Sequence, residues 1–296
     1  ALVALDREGR PRPISAEDRG YESPRVSPDG RRIAVTVTEN TGEGEATHVW
    51  IVDASSGLGT QLTFAGTRNL DPVWSADGQS VFFVSDRDTG TPNSIYRQAA
   101  DFSREATLVY QSSTRFVRAE DVLLDRELVI VEDDGRPDIR LLELESGTAS
   151  GFLATPASEF DPRVSPDGRW IAYASLESGR REVYVRPAPP ATGAQRRISD
   201  EGGELPLWSP AGNELFFYSL EGDFMAVPVQ LEPSFTAGRM ELLFTQGQSI
   251  SDVAPDGAFI ALQRESTDDG DPSRPPSHLI VVQHWFEVLK QRVPVR

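Results

Sequence analysis

Pairs of apolar residues two positions apart, each pair following a turn-like glycine, recur along this chain. Ile33 and Val35, Val81 and Phe83, Ile171 and Tyr173, Leu215 and Phe217, and Ile260 and Leu262 lie three and five residues after glycines 30, 78, 168, 212 and 257. Such alternation predicts a strand with one buried face at each place. Leu128 and Ile130 obey the same rule if Asp125 takes the glycine's place. The glycines are spaced 48, 90, 44 and 45 apart, so one degenerate unit hides in the double gap. Six units of about 45 residues have the length of four-stranded propeller blades.

The turns are equally repetitive. Ser27-Pro28-Asp29-Gly30 returns as Ser75-Ala76-Asp77-Gly78, Ser165-Pro166-Asp167-Gly168, Ser209-Pro210-Ala211-Gly212 and Ala254-Pro255-Asp256-Gly257. Proline sets φ, serine and aspartate bond local amides, and glycine takes the left-handed conformation. These residues read as architecture rather than chemistry.

Third strands are predicted at Thr47–Asp53, Ser94–Gln98, Asp138–Leu144, Glu182–Arg186, Phe224–Val229 and His278–Gln283. Fourth strands are predicted at Gln61–Phe64, Thr107–Tyr110, Gly151–Ala154, Arg196–Ser199 and Glu241–Phe244. The sixth unit lacks one, because Trp285–Lys290 reads as a short amphipathic helix. Arg12–Ser15, which resembles Arg197–Ser199, is the expected replacement, so strands from both termini close the ring and remove an open edge. Leu2–Asp6 is surplus in this scheme and competes with Leu279–Val282 for the third place. The expectation is one all-β domain over 1–296, a six-bladed β-propeller of four-stranded antiparallel blades. Its blades run approximately 17–65, 66–112, 113–156, 157–200, 201–246 and 247–284, with an N-terminal strand in 1–16.

Composition narrows the functional classes. Glycine and proline total 46 of 296 residues, too many for a helix bundle and ordinary for many short strands. With 46 acidic and 29 basic side chains the net charge is −17, which argues against nucleic acid or an anionic membrane surface as partner. There is no cysteine, hence no disulfide scaffold, thiol nucleophile or thiolate metal site. Lys290 is the one lysine, so a catalytic lysine is close to excluded. Apolar runs such as Leu128–Val131 and Leu279–Val282 are too short to span a bilayer. No signal peptide is visible, and the chain reads as a mature or excised soluble monomer. The lack of thiols is compatible with an extracytoplasmic location.

The Ser-Pro-Asp-Gly repeats, with Ser85-Asp86-Arg87-Asp88 leading to Ile95-Tyr96, resemble the propeller of TolB and its WD-repeat-like relatives. A narrower resemblance is carried by Ala172–Arg180, Glu182–Pro187, Leu207-Trp208-Ser209, Phe224–Val229 and Trp285–Leu289. These segments are similar to the C-terminal extracytoplasmic propeller of certain bacterial transmembrane serine/threonine kinases. The resemblance implies a periplasmic or cell-surface sensor or interaction domain that binds a protein or peptide. No kinase motif is present: Gly42-Glu43-Gly44 is too short for a phosphate loop, and the catalytic His-Arg-Asp and metal-binding Asp-Phe-Gly triplets are missing.

TolB-like propellers also accompany peptidases and occur in some lyases, which makes a catalytic constellation worth seeking in the residues. No Gly-x-Ser-x-Gly elbow exists, and His48, His278 and His284 are scattered at strand ends, without a nucleophile to serve. The chain is therefore expected not to be an enzyme and to carry no cofactor. Asp268-Asp269-Gly270-Asp271 lacks the ligand spacing of a helix–loop–helix calcium site and reads as a solvated loop, weak calcium binding being the alternative. Trp74 and Trp208 share a repeat position otherwise held by Val26, Val164 and Val253, which places them between blades, whereas Trp50 and Trp170 read as more exposed.

First strands of propeller blades line the central channel. The residues leading into them include Glu22, Asn69, Asp71, Arg118, Glu120, Glu159, Asp161 and Glu204. Converging carboxylates would favour a small cation or a cationic peptide; equally, polar residues beside channel water need no ligand. The functional expectation is a sensor or interaction propeller, with an accessory propeller of a peptidase or glycan-active hydrolase, or a free periplasmic TolB-like binding protein, as alternatives.

Overall fold

Each Ser-Pro-Asp-Gly turn closes the hairpin between the first and second strands of an antiparallel sheet. In the computed structural model, which describes residues 1–15, 19–42, 44–153, 155–245 and 249–263, six such sheets follow one another. Blade 1 comprises Gly20–Val26, Arg32–Thr41, Gly44–Asp53 and Gly59–Gln61. Blade 2 comprises Asn69–Trp74, Ser80–Ser85, Ser94–Ala99 and Thr107–Gln111, and blade 3 Phe116–Leu123, Glu127–Asp133, Pro137–Glu143 and Thr148–Gly151. Blade 4 comprises Glu159–Val164, Trp170–Ser175, Glu182–Pro187 and Arg196–Arg197. Blade 5 comprises Glu204–Trp208, Glu214–Tyr218 and Phe224–Gln230, with both Thr236–Ala237 and Glu241–Phe244 paired to its third strand. Each blade's first strand touches the first strands of both neighbours, and the sixth touches the first, so the fold is a closed ring.

Blade 6 departs from the sequence scheme. Ser249–Val253 and Phe259–Leu262 supply its first and second strands, Leu2–Leu5 its third and Pro11–Pro13 its fourth. Leu2 pairs with Leu262 and Leu5 with Phe259, while Val3 faces Pro13 on the other side. Leu2–Leu5 is thus integral rather than surplus. All four of its residues are buried, as a strand flanked on both sides requires. The expected strand at His278–Gln283, the helix at 285–290, the acidic run 268–271 and His284 lie outside the described residues.

The turns are built as their chemistry dictates. Ser27 Oγ donates to Asp29 Oδ1 at 2.6 Å and accepts Arg32 N at 2.9 Å, while Gly30 N reaches Ser27 O at 2.8 Å. Blade 3 manages without glycine, since Leu124 and Asp125 both adopt positive φ, 49° and 57°. The core is divided among the seams. Ile33, Val35 and Tyr21 meet Leu2, Ala4 and Ile260 between blades 1 and 6. Trp74 and Phe83 meet Val49 and Leu62 between blades 1 and 2. Trp208 and Phe217 meet Val183 and Val185 between blades 4 and 5. Trp50 and Trp170 are half-buried, Arg19 stacking 4.2 Å over the first and Phe235 lying 5.2 Å from the second.

Candidate ligand site in the central channel

The first strand of every blade slips against the second. The register shifts between Glu22 and Arg25, Leu70 and Val73, Ala119 and Asp121, Phe160 and Arg163, Glu204 and Leu207, and Ile250 and Asp252. In four blades the slip is an X-Pro pair, Ser23-Pro24, Asp71-Pro72, Asp161-Pro162 or Leu205-Pro206. The residue before proline has φ of 48°, 50°, 51° and 53° respectively. Proline keeps its predecessor out of the right-handed helical region and has no N–H to give the ladder. A left-handed non-glycine residue costs about 1–3 kcal/mol and persists only where its surroundings impose it.

Asp71, Glu120 and Asp161 are the slip residues of three consecutive blades. Asp71 feels Glu120 and Arg118 of blade 3, Arg25 of blade 1 and Arg163 of blade 4. A side chain coupled to charges on three other blades points to the ring axis. Burial, then repulsion by Glu120, pushes the Asp71 carboxyl up to about 6, against the pull of Arg118, Arg25 and Arg163. Asp161 is likewise pushed up to about 6, by burial and then Glu120, against Arg163, Arg181 and Arg118. Both aspartates keep partial solvent contact along the channel. Glu120 is nearly buried and is neutralised by Arg163, whose Nη1 lies 2.8 Å from its Oε2. Arg25 donates to the Glu120 carbonyl, and Arg163 approaches the same oxygen at 3.3 Å. Of these two guanidiniums, Arg163 alone meets the Glu120 carboxylate. Among the described residues, Asp71 and Asp161 have no salt bridge.

The structure therefore brings Asp71, Arg118, Glu120 and Asp161 together and sends the other four candidates elsewhere. Glu22 is exposed and accepts Thr38 Oγ1 at 3.1 Å. Glu204 pairs with Arg181, which stacks 4.4 Å over Phe160. Asn69 is fully buried between blades 1 and 2. Its Nδ2 donates to Thr47 O at 3.2 Å and Ala65 O at 3.1 Å, and its Oδ1 accepts Ser85 Oγ at 2.9 Å. Glu159 is 1% exposed and accepts a bond from Thr155 Oγ1. Among the described residues, no cluster of three or more histidine or acidic side chains is arranged to hold a metal.

Sequence reasoning missed the pattern of the residues that follow each slip. The position after each slip reads Arg25, Val73, Asp121, Arg163, Leu207 and Asp252, and the next reads Val26, Trp74, Val122, Val164, Trp208 and Val253. Both repeat after three blades. The bonds repeat too: Trp74 Nε1 donates to Arg25 O at 2.8 Å and Trp208 Nε1 to Arg163 O at 3.0 Å. The signal was present in the paired tryptophans, which mark a three-blade period within the six-blade one.

No family model matches the chain. An uncharacterised protein of Agrobacterium fabrum is 25% identical over 268 residues, covering 82% of this chain and 84% of its own. An uncharacterised peptidase of Bacillus subtilis is 22% identical over 189 residues, 51% of this chain; the match spans only 29% of the peptidase. A solved TolB-type structure from Agrobacterium tumefaciens superposes with a TM-score of 0.70 at 19% identity, covering 89% of this chain and 98% of that one. With the ring, the blade order and this superposition, the chain is a six-bladed β-propeller of TolB-like fold.

Proposed function

We propose that this propeller is a non-enzymatic extracytoplasmic binding module, the sensor or interaction domain of a membrane-anchored or secreted protein, that takes a cationic peptide or small cation at its acidic channel. The observation that supports the reading is that Asp71, Glu120 and Asp161 are slip residues of adjacent blades within electrostatic reach of one another, and that among the described residues Glu120 alone of the three has a salt bridge. Ionised carboxylates destabilise one another there, and a positively charged ligand would relieve the repulsion. The kinase-sensor assignment rests on the resemblance of residues 160–296 alone.

The test is calorimetric titration with short Lys/Arg-rich peptides at pH 7.5. Saturable binding that weakens as salt shortens the Debye length to about 10 Å at 0.1 M, and is lost in Asp71→Asn/Asp161→Asn, supports the proposal. Saturable binding indifferent to both substitutions would move the site off the axis. The B. subtilis relative favours a second reading, an accessory propeller that presents peptides to a hydrolase. In that case the same channel would bind peptides with no preference for positive charge.

A further inference from the structure

One position in blade 2 breaks a rule that the other five blades keep. The second-strand residue four places after each turn glycine (Asp125 in blade 3) pairs with one residue of the third strand. In blades 1, 3, 4, 5 and 6 that partner is Ile51, Leu141, Val185, Ala226 and Val3, all apolar and buried. In blade 2 the partner, opposite Phe82, is Arg97, and it is exposed. A charged side chain at a core position of a repeat is a local inconsistency of the kind found at functional sites.

A cleft of about 740 Å³ opens beside Arg97, within the size range of small-molecule sites. It lies between the Asp77–Ser80 turn, Arg32 of blade 1 and the loop that carries Asp101 and Arg104 towards the fourth strand. Arg32 is fixed: its guanidinium stacks 4.8 Å from the Trp74 ring centroid, and its Nη2 donates to Gly78 O at 2.7 Å. The Arg97 guanidinium lies 5.6 Å from the Phe82 ring centroid. Among the described residues, none of these three arginines forms a salt bridge.

The carboxylates of the cleft are held by their own turns instead. Asp77 Oδ1 accepts Ser75 Oγ at 2.6 Å and Gln79 N at 2.9 Å, and Asp101 Oδ1 accepts Ser103 N at 2.9 Å. These bonds keep both carboxyls below the usual carboxylate range, so both are ionised acceptors at neutral pH. With Glu105 the lining has three carboxylates and three arginines, and Ala99 and Gly78 alone lack a polar side chain. An apolar ligand finds no wall there, a simple cation meets the arginines, and a simple anion meets the carboxylates. The lining suits a molecule that is polar on every side, with an acid group for arginine and hydroxyl donors for the carboxylates.

We propose that this cleft binds an acidic saccharide of the uronic-acid type, Arg97 and Arg104 taking the sugar carboxylate while Asp77 and Asp101 accept from sugar hydroxyls. The cleft shares no lining residue with the channel, and the inference does not rest on the proposed function.

The test is calorimetric titration of the whole chain at pH 7.5 with digalacturonate and with a mannuronate disaccharide, lactose and inorganic phosphate serving as comparisons. At least one acidic disaccharide should bind saturably. Arg97→Gln should weaken that binding by about tenfold or more, the worth of a hydrogen bond to a charged group, as should Arg104→Gln; lactose and phosphate should bind the parent more weakly by the same factor. Arg97→Leu installs the residue that blade 3 carries in this place. It should abolish binding and melt no lower than the parent, which separates loss of a ligand contact from loss of the fold. Asp71→Asn/Asp161→Asn should leave binding unchanged. The proposal is overturned if neither acidic disaccharide binds, if phosphate or lactose binds as tightly, or if Arg97→Gln and Arg97→Leu both bind like the parent. Binding that disappears in the channel double variant would overturn it as well.

Discussion

The backbone N–H of Val26 donates to Asp252 Oδ2 at 2.7 Å, fastening the first strand of blade 1 to that of blade 6. The other Asp252 oxygen takes Val253 N at 2.9 Å. Half a turn around the ring, Asp121 takes Val164 N and Val122 N, both at 2.8 Å. A carboxylate bridging two backbone donors across a seam is stronger than a neutral bond. Asp252→Ala strands both donors and should cost about 1–3 kcal/mol in urea denaturation, with an unchanged slope. Asp252→Asn, which keeps one acceptor, should cost less. An alanine variant as stable as the parent would leave the seam to the N-terminal strands alone.

Those N-terminal strands should be indispensable. Leu2, Val3 and Leu5 are 0–2% exposed on the outer flank of Phe259–Leu262. Burying three such side chains is worth at most roughly 5–9 kcal/mol, comparable with the whole stability of a domain. Removing residues 1–15 also bares the edge of Phe259–Leu262 for pairing with other chains. The truncated protein should aggregate or fail to melt cooperatively. A monomeric product with the parent's melting temperature would refute the closure.

The blades were legible because turn and strand repeat together: Ser-Pro-Asp-Gly marks the hairpin and the alternation after it marks the buried face. Leu2–Leu5 was not, because a strand buried on both sides shows no alternation, and a similar apolar run stands at 279–282. The channel site was half legible for a different reason. Glu159 and Asp161 are two residues apart, as are Asn69 and Asp71, so a regular strand would aim each pair the same way. The left-handed turn at Asp71 and Asp161 breaks that rule. One member of each pair goes into a seam and the other to the axis. The X-Pro pairs that impose this were in plain sequence, but nothing in a single sequence reports the sign of φ.

The turn glycines offer a cleaner separation of strain from crowding. Gly257 has φ of 86° with open space where a Cβ would stand, while at Gly168, φ 70°, a Cβ would lie 2.4 Å from Leu124 Cδ2. Leu124 is 61% exposed and able to swing away, so conformation dominates at both sites. Gly168→Val and Gly257→Val should each cost about 1–3 kcal/mol. Asparagine, which tolerates the left-handed region, should cost clearly less at both. Equal losses for valine and asparagine at Gly257 would show that something other than φ is at stake.

The channel aspartates should make stability and binding respond oppositely to pH. Asp71 and Asp161 titrate near 6 in the folded protein, against about 3.9 in an unfolded chain. Between those values the folded state holds the more protons, so stability is greatest below about pH 4 as far as these groups are concerned. It falls as pH rises through 6 and then levels off. The loss is at most about 3 kcal/mol per group and smaller where channel water screens it. Asp71→Asn/Asp161→Asn removes this penalty, and asparagine accepts the left-handed backbone both positions require. The double variant should therefore melt higher than the parent at pH 7.5, with the advantage shrinking towards pH 4. Cationic peptides follow the opposite course, because only the ionised pair attracts them: parent affinity should climb between pH 5 and pH 7, while the variant stays weak throughout. A variant less stable than the parent at pH 7.5 would mean that Arg118 and Arg163, with Arg25 at Asp71 and Arg181 at Asp161, already compensate both carboxylates, and the channel would then have no unmet charge to offer a ligand.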